Sequence, residues 1–152
     1  MPRFFVDQPL EGQVFLGGED GRHLAKSLRV RPGEEVTLCD GRGADALCKV
    51  LSIQGEGALL QVEKTSPSQG EPQTKVTVCQ CLCKGDKLET VTQKAVELGA
   101  VEIWPLESAR CVVKVDGKSA PKKVARLQKI AREAAMQSGR GVIPRVLAPA
   151  SL

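Results

Sequence analysis

The chain has 152 residues, 41% of them hydrophobic and 26% charged, the composition of an ordinary globular protein with one or two domains. Aromatic residues make up only 3% and tyrosine is absent, which disfavours an aromatic platform for base stacking. No apolar run has the length of a membrane span and the N-terminus lacks a signal pattern, so we expect a cytoplasmic location. Residues 1–70 carry a formal charge of −2 and residues 71–152 carry +6, a weak indication of a polyanionic partner.

The first part of the chain, residues 1–70, has short apolar segments separated by glycine-rich turns, which predicts a small β-barrel. Between the third and fourth predicted strands, Asp40-Gly41-Arg42-Gly43 has the composition of a hairpin turn. Residues 65–74 are polar and rich in proline and serine, which is typical of a linker, so we predict a domain boundary near residue 70. The predicted strands cover residues 3–6, 13–16, 35–39, 44–53 and 58–64.

A short helix is predicted over residues 19–28, and its continuation is rich in cations. Residues 22–31 contain four Lys or Arg, one histidine and no acidic residue. We expect Leu24 and Leu28 to anchor the helix on the barrel. A solvated helix face is the simpler interpretation, but the lack of acidic residues favours contact with a phosphate backbone. Three cations are expected to project outward: Arg22, Lys26 and Arg29.

The second part, residues 71–152, alternates strands and helices in the order β-α-β-α-β, which predicts a parallel α/β sheet. The first helix is expected to begin at Asp86, to end at Gly99, and to bury Leu88, Val91, Ala95 and Leu98. A strand over residues 75–83 is predicted to be buried on both faces, as in other parallel sheets. The remaining elements are strands at 101–106 and 142–147 and a helix at 119–138 with a basic stripe.

Six cysteines raise the possibility of disulfides or a metal site. No CxxC pair occurs, and the one histidine, His23, is remote from the cysteines in sequence. We therefore expect buried, reduced thiols acting as small apolar side chains and no zinc. Cys79, Cys81 and Cys83 alternate along one predicted strand and should face the same side.

No phosphate-binding glycine loop or nucleophile motif is present, so candidate chemistry rests on polar residues near element ends. Gln93, Lys94 and Glu97 lie within one helical turn. Arg110 closely follows the strand at 101–106, where α/β sheets place their ligand sites. Arg140 follows Gly139 at the end of the basic helix, and we expect it to approach an anion.

The order of these motifs resembles one family, the bacterial RsmE-type methyltransferases, which methylate N3 of a uridine in 16S ribosomal RNA. The resemblance covers nearly the whole chain. The matching segments are KGDK at 84–87, QKAVELG at 93–99, PLESAR at 105–110, KK at 122–123, AAMQSGR at 134–140 before Pro144, and HLAKSLRV at 23–30 with Gly33 and Asp40-Gly41.

This resemblance implies a PUA-like β-barrel over residues 1–70, followed over residues 71–152 by the first half of a SPOUT α/β domain with a trefoil knot. It also implies a homodimer that binds S-adenosylmethionine in the knot and acts on the small ribosomal subunit. The family's Gly-Pro-Glu-Gly-Gly and Leu-Arg-Thr-Glu-Thr-Ala segments, which form the knot, do not occur in residues 1–152. We therefore expect residues 1–152 alone to be inactive and to hold no cofactor-binding residue.

For the complete enzyme, we expect Arg110 and Arg140 to orient RNA or a developing uracil anion, and Glu97 to accept the proton. Two other hypotheses stay open: a non-enzymatic RNA-binding module of the same origin, and a structural α/β protein whose cations only confer solubility. The residues expected to contact RNA are Arg3, Arg22, His23, Lys26, Arg29, Arg31, Lys84, Lys122, Arg126 and Lys129.

Overall fold

A computed structural model describes residues 1–114 and 117–152 and divides the chain into two compact units, Met1–Gly70 and Glu71–Leu152. The first unit is a five-stranded sheet with one short helical segment, and the second is a parallel sheet with two helices. Within the described residues, no helix is both long and apolar enough to cross a membrane.

The sheet of the first unit has the strand order β1-β3-β4-β5-β2. β1 pairs with β3 in parallel and the other pairings are antiparallel. The predicted hairpin between β3 and β4 is confirmed, since Asp40 Oδ1 accepts hydrogen bonds from the N–H groups of Arg42 and Ala44. The five strands are β1 (Arg3–Phe5), β2 (Gln13–Leu16), β3 (Glu35–Cys39), β4 (Ala44–Gln54) and β5 (Gly57–Pro67).

The end of β5 corrects the predicted linker. Residues 65–67 belong to this strand, and Pro67 pairs with Ala44 in β4. Ser68 follows with a backbone hydrogen bond to Gly43, so the polar composition of this stretch reflects an exposed strand end. The sequence shows polarity here, but the pairing depends on the partner strand.

The predicted helix in the first unit is a one-turn α1 (Gly18–Arg22) continued by a π-helical turn, His23–Ser27. Leu24 is fully buried, as expected, but Leu28 is 44% exposed and does not anchor the segment. The wider π turn, closed by a hydrogen bond from the Leu28 N–H to the His23 carbonyl, rotates Leu28 off the buried face. Gly21 packs so closely on the Leu16 carbonyl that a Cβ would clash there.

The second unit contains a parallel sheet in which β6 and β8 flank β7, and β9 pairs with the far end of β7. Two helices, α2 and α3, pack on each other through buried Leu88, Ala95 and Leu127. The predicted parallel α/β arrangement is therefore confirmed. The bounds are β6 (Thr77–Cys81), α2 (Lys87–Glu97), β7 (Glu102–Glu107), α3 (Ala120–Gln137), β8 (Arg145–Val146) and β9 (Ala150–Ser151).

Helix α2 ends at Gly99 as predicted, because Gly99 has φ +99° and its N–H donates to the Val96 carbonyl. The prediction that Leu98 is buried is wrong, because Leu98 follows the last residue of α2 and is 88% exposed. Thr92 and Val96 take the buried positions instead, and the Thr92 hydroxyl is satisfied by the Leu88 carbonyl at 2.8 Å.

No residue of strand β6, an edge strand, is buried, so the prediction that it is buried on both faces is wrong. Cys79 is exposed and Cys81 and Cys83 are half-buried, whereas Cys39 and Cys48 in the first unit are buried. The expectation of buried thiols therefore holds only for the first unit. An apolar strand composition does not reveal whether a neighbouring strand or helix covers it.

Candidate functional site

The cation-rich segment of the first unit lies at the surface beside the β4–β5 turn. Its helical part carries Arg22 and Lys26, and both bind Glu56 of that turn, at 3.4 Å and 2.6 Å respectively. All three side chains are more than half exposed. Contact with Lys26, and then with Arg22, holds the pKa of Glu56 below its usual range. The sequence does not reveal Glu56 as the partner of these cations, because it lies 30 residues from Lys26.

The same segment continues into an exposed turn that holds Arg29 and Arg31. Arg29 is the single non-glycine residue with a positive φ, +53°, among the described residues. Such a conformation costs about 1–2 kcal/mol for an L-residue and is often found at functional sites. Within the described parts of the chain neither arginine forms an ion pair, so both cations face solvent. His23, also exposed, packs edge-on against Phe4.

Arg3 is placed differently from the expectation that it contacts RNA. Its guanidinium binds the Asp45 carboxylate at 2.7 and 3.0 Å, and the Ser68 hydroxyl binds the same carboxylate. The two ion-pair side chains are only 19% and 14% exposed. Arg3 therefore holds β1 to β4, and the structure gives no support to its predicted contact with RNA.

A groove of about 310 Å³ lies at the carboxyl end of β6 and β7 in the second unit. Lys84 and Arg110 line it from the segments that follow these two strands, and both are exposed. Parallel strands bring their carboxyl ends to one edge, so these two predicted residues share one site. The other lining residues are Cys81, Leu82, Cys83, Ser108, Cys111, Val112 and Val113.

Glu97 lies on the exposed face of α2 rather than in this groove. Lys94 and Gln93 donate hydrogen bonds to its carboxylate at 2.7 and 2.9 Å. These two contacts hold the pKa of Glu97 below its usual range, which makes it a weaker base. The structure therefore gives no support to Glu97 as the proton acceptor.

Arg140 is buried, with only 2% of its surface exposed, and it does not approach an anion in solvent. Its guanidinium binds Glu71 at 2.7 Å and donates to the carbonyls of Val96 and Ala100. Glu71 also accepts the Gly141 N–H at 3.0 Å. The expected anion-orienting role is corrected: Arg140 joins the ends of α2 and α3 to the start of this unit.

The basic stripe of α3 is only partly available. Arg126 binds Glu89 of α2 at 2.9 Å, and Lys129 lies 3.9 Å from Glu133. Asp86, where α2 was expected to begin, makes no side-chain capping bond. Lys122 is exposed beside Lys123 and Arg126 on a depression of about 300 Å³. Across the described residues, no cluster of three or more His, Cys, Asp or Glu side chains could hold a metal.

The contact between Glu71 and Arg140 predicts acid sensitivity of the second unit. Partial burial raises the pKa of Glu71, but hydrogen bonds from Arg140, Val142 and Gly141 outweigh it, so the pKa lies below the usual 4.5. A lowered pKa contributes stability above pH 4.5 that is lost as pH falls through the folded-state value. We expect the free energy of unfolding to fall less steeply with acid in Glu71→Gln than in the wild type.

Trp104 lies in the second unit and is the one tryptophan of a chain without tyrosine, so its fluorescence reports on this unit. Urea titrations followed by Trp104 fluorescence and repeated from pH 7 to pH 3 measure how the free energy of unfolding of each protein depends on pH. If the free energy of unfolding fell equally steeply with acid in the wild type and in Glu71→Gln, Glu71 would not be the source of the acid sensitivity.

The comparisons with known proteins agree with this architecture. A family described as an RNA methyltransferase domain matches residues 70–152, and one described as an RNA methyltransferase PUA domain matches residues 16–63. The chain is 39% identical to ribosomal RNA small subunit methyltransferase E of Bacillus subtilis and 37% identical to that of Mycobacterium bovis. These alignments cover 97% and 94% of this chain, but only 59% and 55% of the two relatives.

A solved structure of a ribosomal RNA small subunit methyltransferase E from Neisseria gonorrhoeae, bound to S-adenosyl methionine, has a TM-score of 0.87 and 33% identity to the chain. It covers 99% of this chain, which in turn covers 63% of that protein. Fold and matches together define a PUA-like unit followed by a SPOUT-type α/β unit of an RNA methyltransferase. The chain belongs to the RsmE family, and the expected fold class is confirmed.

Proposed function

We propose that this chain is part of an S-adenosylmethionine-dependent methyltransferase that modifies N3 of a uridine in 16S ribosomal RNA within the cytoplasm. The observation that carries the proposal is the alignment of almost the whole chain with two proteins named as small subunit methyltransferases. The exposed cations of the PUA-like unit support an RNA partner, because phosphate contacts supply most sequence-independent affinity for nucleic acid.

The described groove at the sheet edge does not fit S-adenosylmethionine by itself. Its ionisable cations are Lys84 and Arg110, and no carboxylate lines it to face a sulfonium. The chain spans somewhat more than half the length of the curated relatives it matches. We therefore place the cofactor-binding residues in the portion of those relatives outside the alignment, and we expect no turnover by residues 1–152 alone.

The groove is better suited to bind the uracil anion that forms during the reaction. Uracil N3–H is a weak acid, and methylation at N3 requires loss of that proton. Its loss places negative charge on N3, O2 and O4 until the methyl group is transferred. Arg110 is exposed at the groove and can donate two parallel N–H bonds to such an anion. Lys84, on the neighbouring segment, adds a second cation for the same anion or for an RNA phosphate.

A homodimer is part of this proposal. The second unit exposes several large apolar side chains, which a second copy of the chain would cover. Sedimentation equilibrium measures the oligomeric state directly. These side chains are Val76, Leu98, Trp104 and Val112, between 37% and 88% exposed.

The reaction is tested in cells from which the gene for this chain has been deleted. We expect 16S ribosomal RNA from these cells to lack one N3-methyluridine, which nucleoside mass spectrometry detects. We expect the whole gene, but not a segment encoding residues 1–152 alone, to return it. An unchanged modification in the deletion strain would contradict the methyltransferase proposal. Loss of the modification would in turn exclude a purely RNA-binding or structural role.

A further inference from the structure

Two cysteines of the second unit line the same groove. Cys81 is the last residue of β6 and Cys111 follows β7, and both line the same cavity. Both are free and half-buried, and Cys81 is one of the neighbours that lower the pKa of the Cys111 thiol. Nothing in the proposed methyl transfer uses either residue, so this pair is unexplained by the RNA-related function.

The topology brings these two residues to the same end of the sheet. Cys81 is the register partner of Leu106 in the parallel pairing of β6 and β7. The chain then turns tightly, because the Cys111 N–H donates to the Ser108 carbonyl at 3.0 Å. This turn returns the Cys111 sulfur to 3.9 Å from the Leu106 carbonyl oxygen. Cys111 therefore lies over the end of β7, beside the strand that carries Cys81.

The surroundings of Cys111 favour its thiolate. The Ser108 hydroxyl lies 3.4 Å from the sulfur, and the Ser108 N–H donates to it at 3.3 Å. These contacts lower the pKa of the Cys111 thiol, and Lys84 and Arg110 line the same cavity. By contrast, burial raises the pKa of Cys39 to about 12 and that of Cys48 to about 11. A thiolate is the reactive form in thiol–disulfide exchange.

We propose that Cys111 and Cys81 form a reversible dithiol–disulfide pair that reacts with low-molecular-weight disulfides such as glutathione disulfide. The Cys111 thiolate attacks one sulfur of glutathione disulfide, forms a mixed disulfide, and releases one glutathione thiolate. The Cys81 thiol then loses its proton and its sulfur attacks the Cys111 sulfur, which releases the second glutathione. Two protein thiols are oxidised to one disulfide while glutathione disulfide is reduced to two glutathiones.

Exposure alone predicts a different result, which makes the proposal testable. Cys79 is the exposed cysteine of β6 and would react first if solvent access governed the chemistry. Cys83 lines the groove as well and is the nearest competitor for Cys111. Cys81 is favoured over both alternatives because it pairs in register with Leu106, whose carbonyl oxygen lies 3.9 Å from the Cys111 sulfur.

The test uses the reduced chain, incubated with glutathione disulfide at pH 7.5, alkylated, digested and examined by tandem mass spectrometry. We expect a bond between Cys81 and Cys111 that dithiothreitol removes. In Cys81→Ser, glutathione should accumulate on Cys111, since the second step is blocked. Cys79→Ser and Cys83→Ser are the matched controls and should leave the bond unchanged.

Several results would overturn the proposal. These are glutathione predominantly on Cys79, a bond between Cys83 and Cys111, or a bond that forms equally well in 8 M urea. Retention of both thiols in the folded chain, under conditions that oxidise a free cysteine peptide, would overturn it as well. None of these results depends on RNA methylation, so the redox proposal and the proposed function fail independently.

Discussion

Replacing Arg140 with methionine is expected to destabilise the second unit by about 3–5 kcal/mol, the usual effect of removing one partner of a buried ion pair. The substitution leaves the Glu71 carboxylate without its guanidinium and removes a donor from the Val96 and Ala100 carbonyls. Small domains are stable by only about 5–15 kcal/mol, so a large fraction would be lost. Urea unfolding followed by Trp104 fluorescence measures the change.

Arg145→Met is the matched control for this substitution. Arg145 lies five residues further on, is 75% exposed at its side chain, and reaches Glu102 at only 3.8 Å. Exposed pairs of this kind contribute about 0–1 kcal/mol, so the control should unfold almost like the wild type. If Arg140→Met fails to fold, Arg140→Lys keeps the charge with fewer donors and should show an intermediate loss. Equal effects at positions 140 and 145 would refute the structural role of Arg140.

The second large effect is expected on RNA affinity, from the double substitution Lys26→Ala and Arg29→Ala. Both cations are exposed on one continuous segment, and their removal should weaken binding to 16S ribosomal RNA without unfolding the first unit. Each lost phosphate contact should reduce the slope of log affinity against log salt by about 0.7 for single-stranded RNA. Filter-binding titrations between 50 and 200 mM KCl measure both quantities.

Two further variants sharpen this test. Lys49→Ala with Lys64→Ala removes the same charge from exposed positions on β4 and β5 and should leave the salt slope nearly unchanged. Glu56→Gln should instead strengthen RNA binding, because Glu56 competes with phosphate for Lys26 and Arg22. Equal losses in both double variants would show that only net charge matters, and salt-independent binding by the wild type would refute phosphate contact altogether.

Local sequence patterns predicted most of the secondary structure. The hairpin at residues 40–43 and the helix end at Gly99 depend on turn and cap geometry, which neighbouring residues determine. The α3 helix was likewise predicted to within about one residue at each end, because helical periodicity and Pro121 mark it. Such features carry their own physical reason in the sequence.

The errors at charged residues have a common cause, since each depends on a partner distant in sequence. Arg140 binds Glu71, 69 positions away, and Arg3 binds Asp45, 42 positions away. In both cases an arginine that the sequence suggested for RNA or anion contact forms a structural ion pair. Leu28 and Leu98 fit an apolar periodicity but lie where the helix geometry changes or ends. Charge and hydropathy patterns identify residue types and faces, whereas pairing across the fold decides what each side chain contacts.

The sequence by itself determined the family, the order of the elements, and the cation-rich segment at residues 22–31, because these depend on local composition and motif order. Only the tertiary structure decided which cations are available. It paired Arg22 and Lys26 with Glu56, buried Arg140, and brought Lys84 and Arg110 to one sheet edge. It also brought Cys81 and Cys111 to one groove, since adjacent parallel strands end at the same edge and a tight turn returns the chain there.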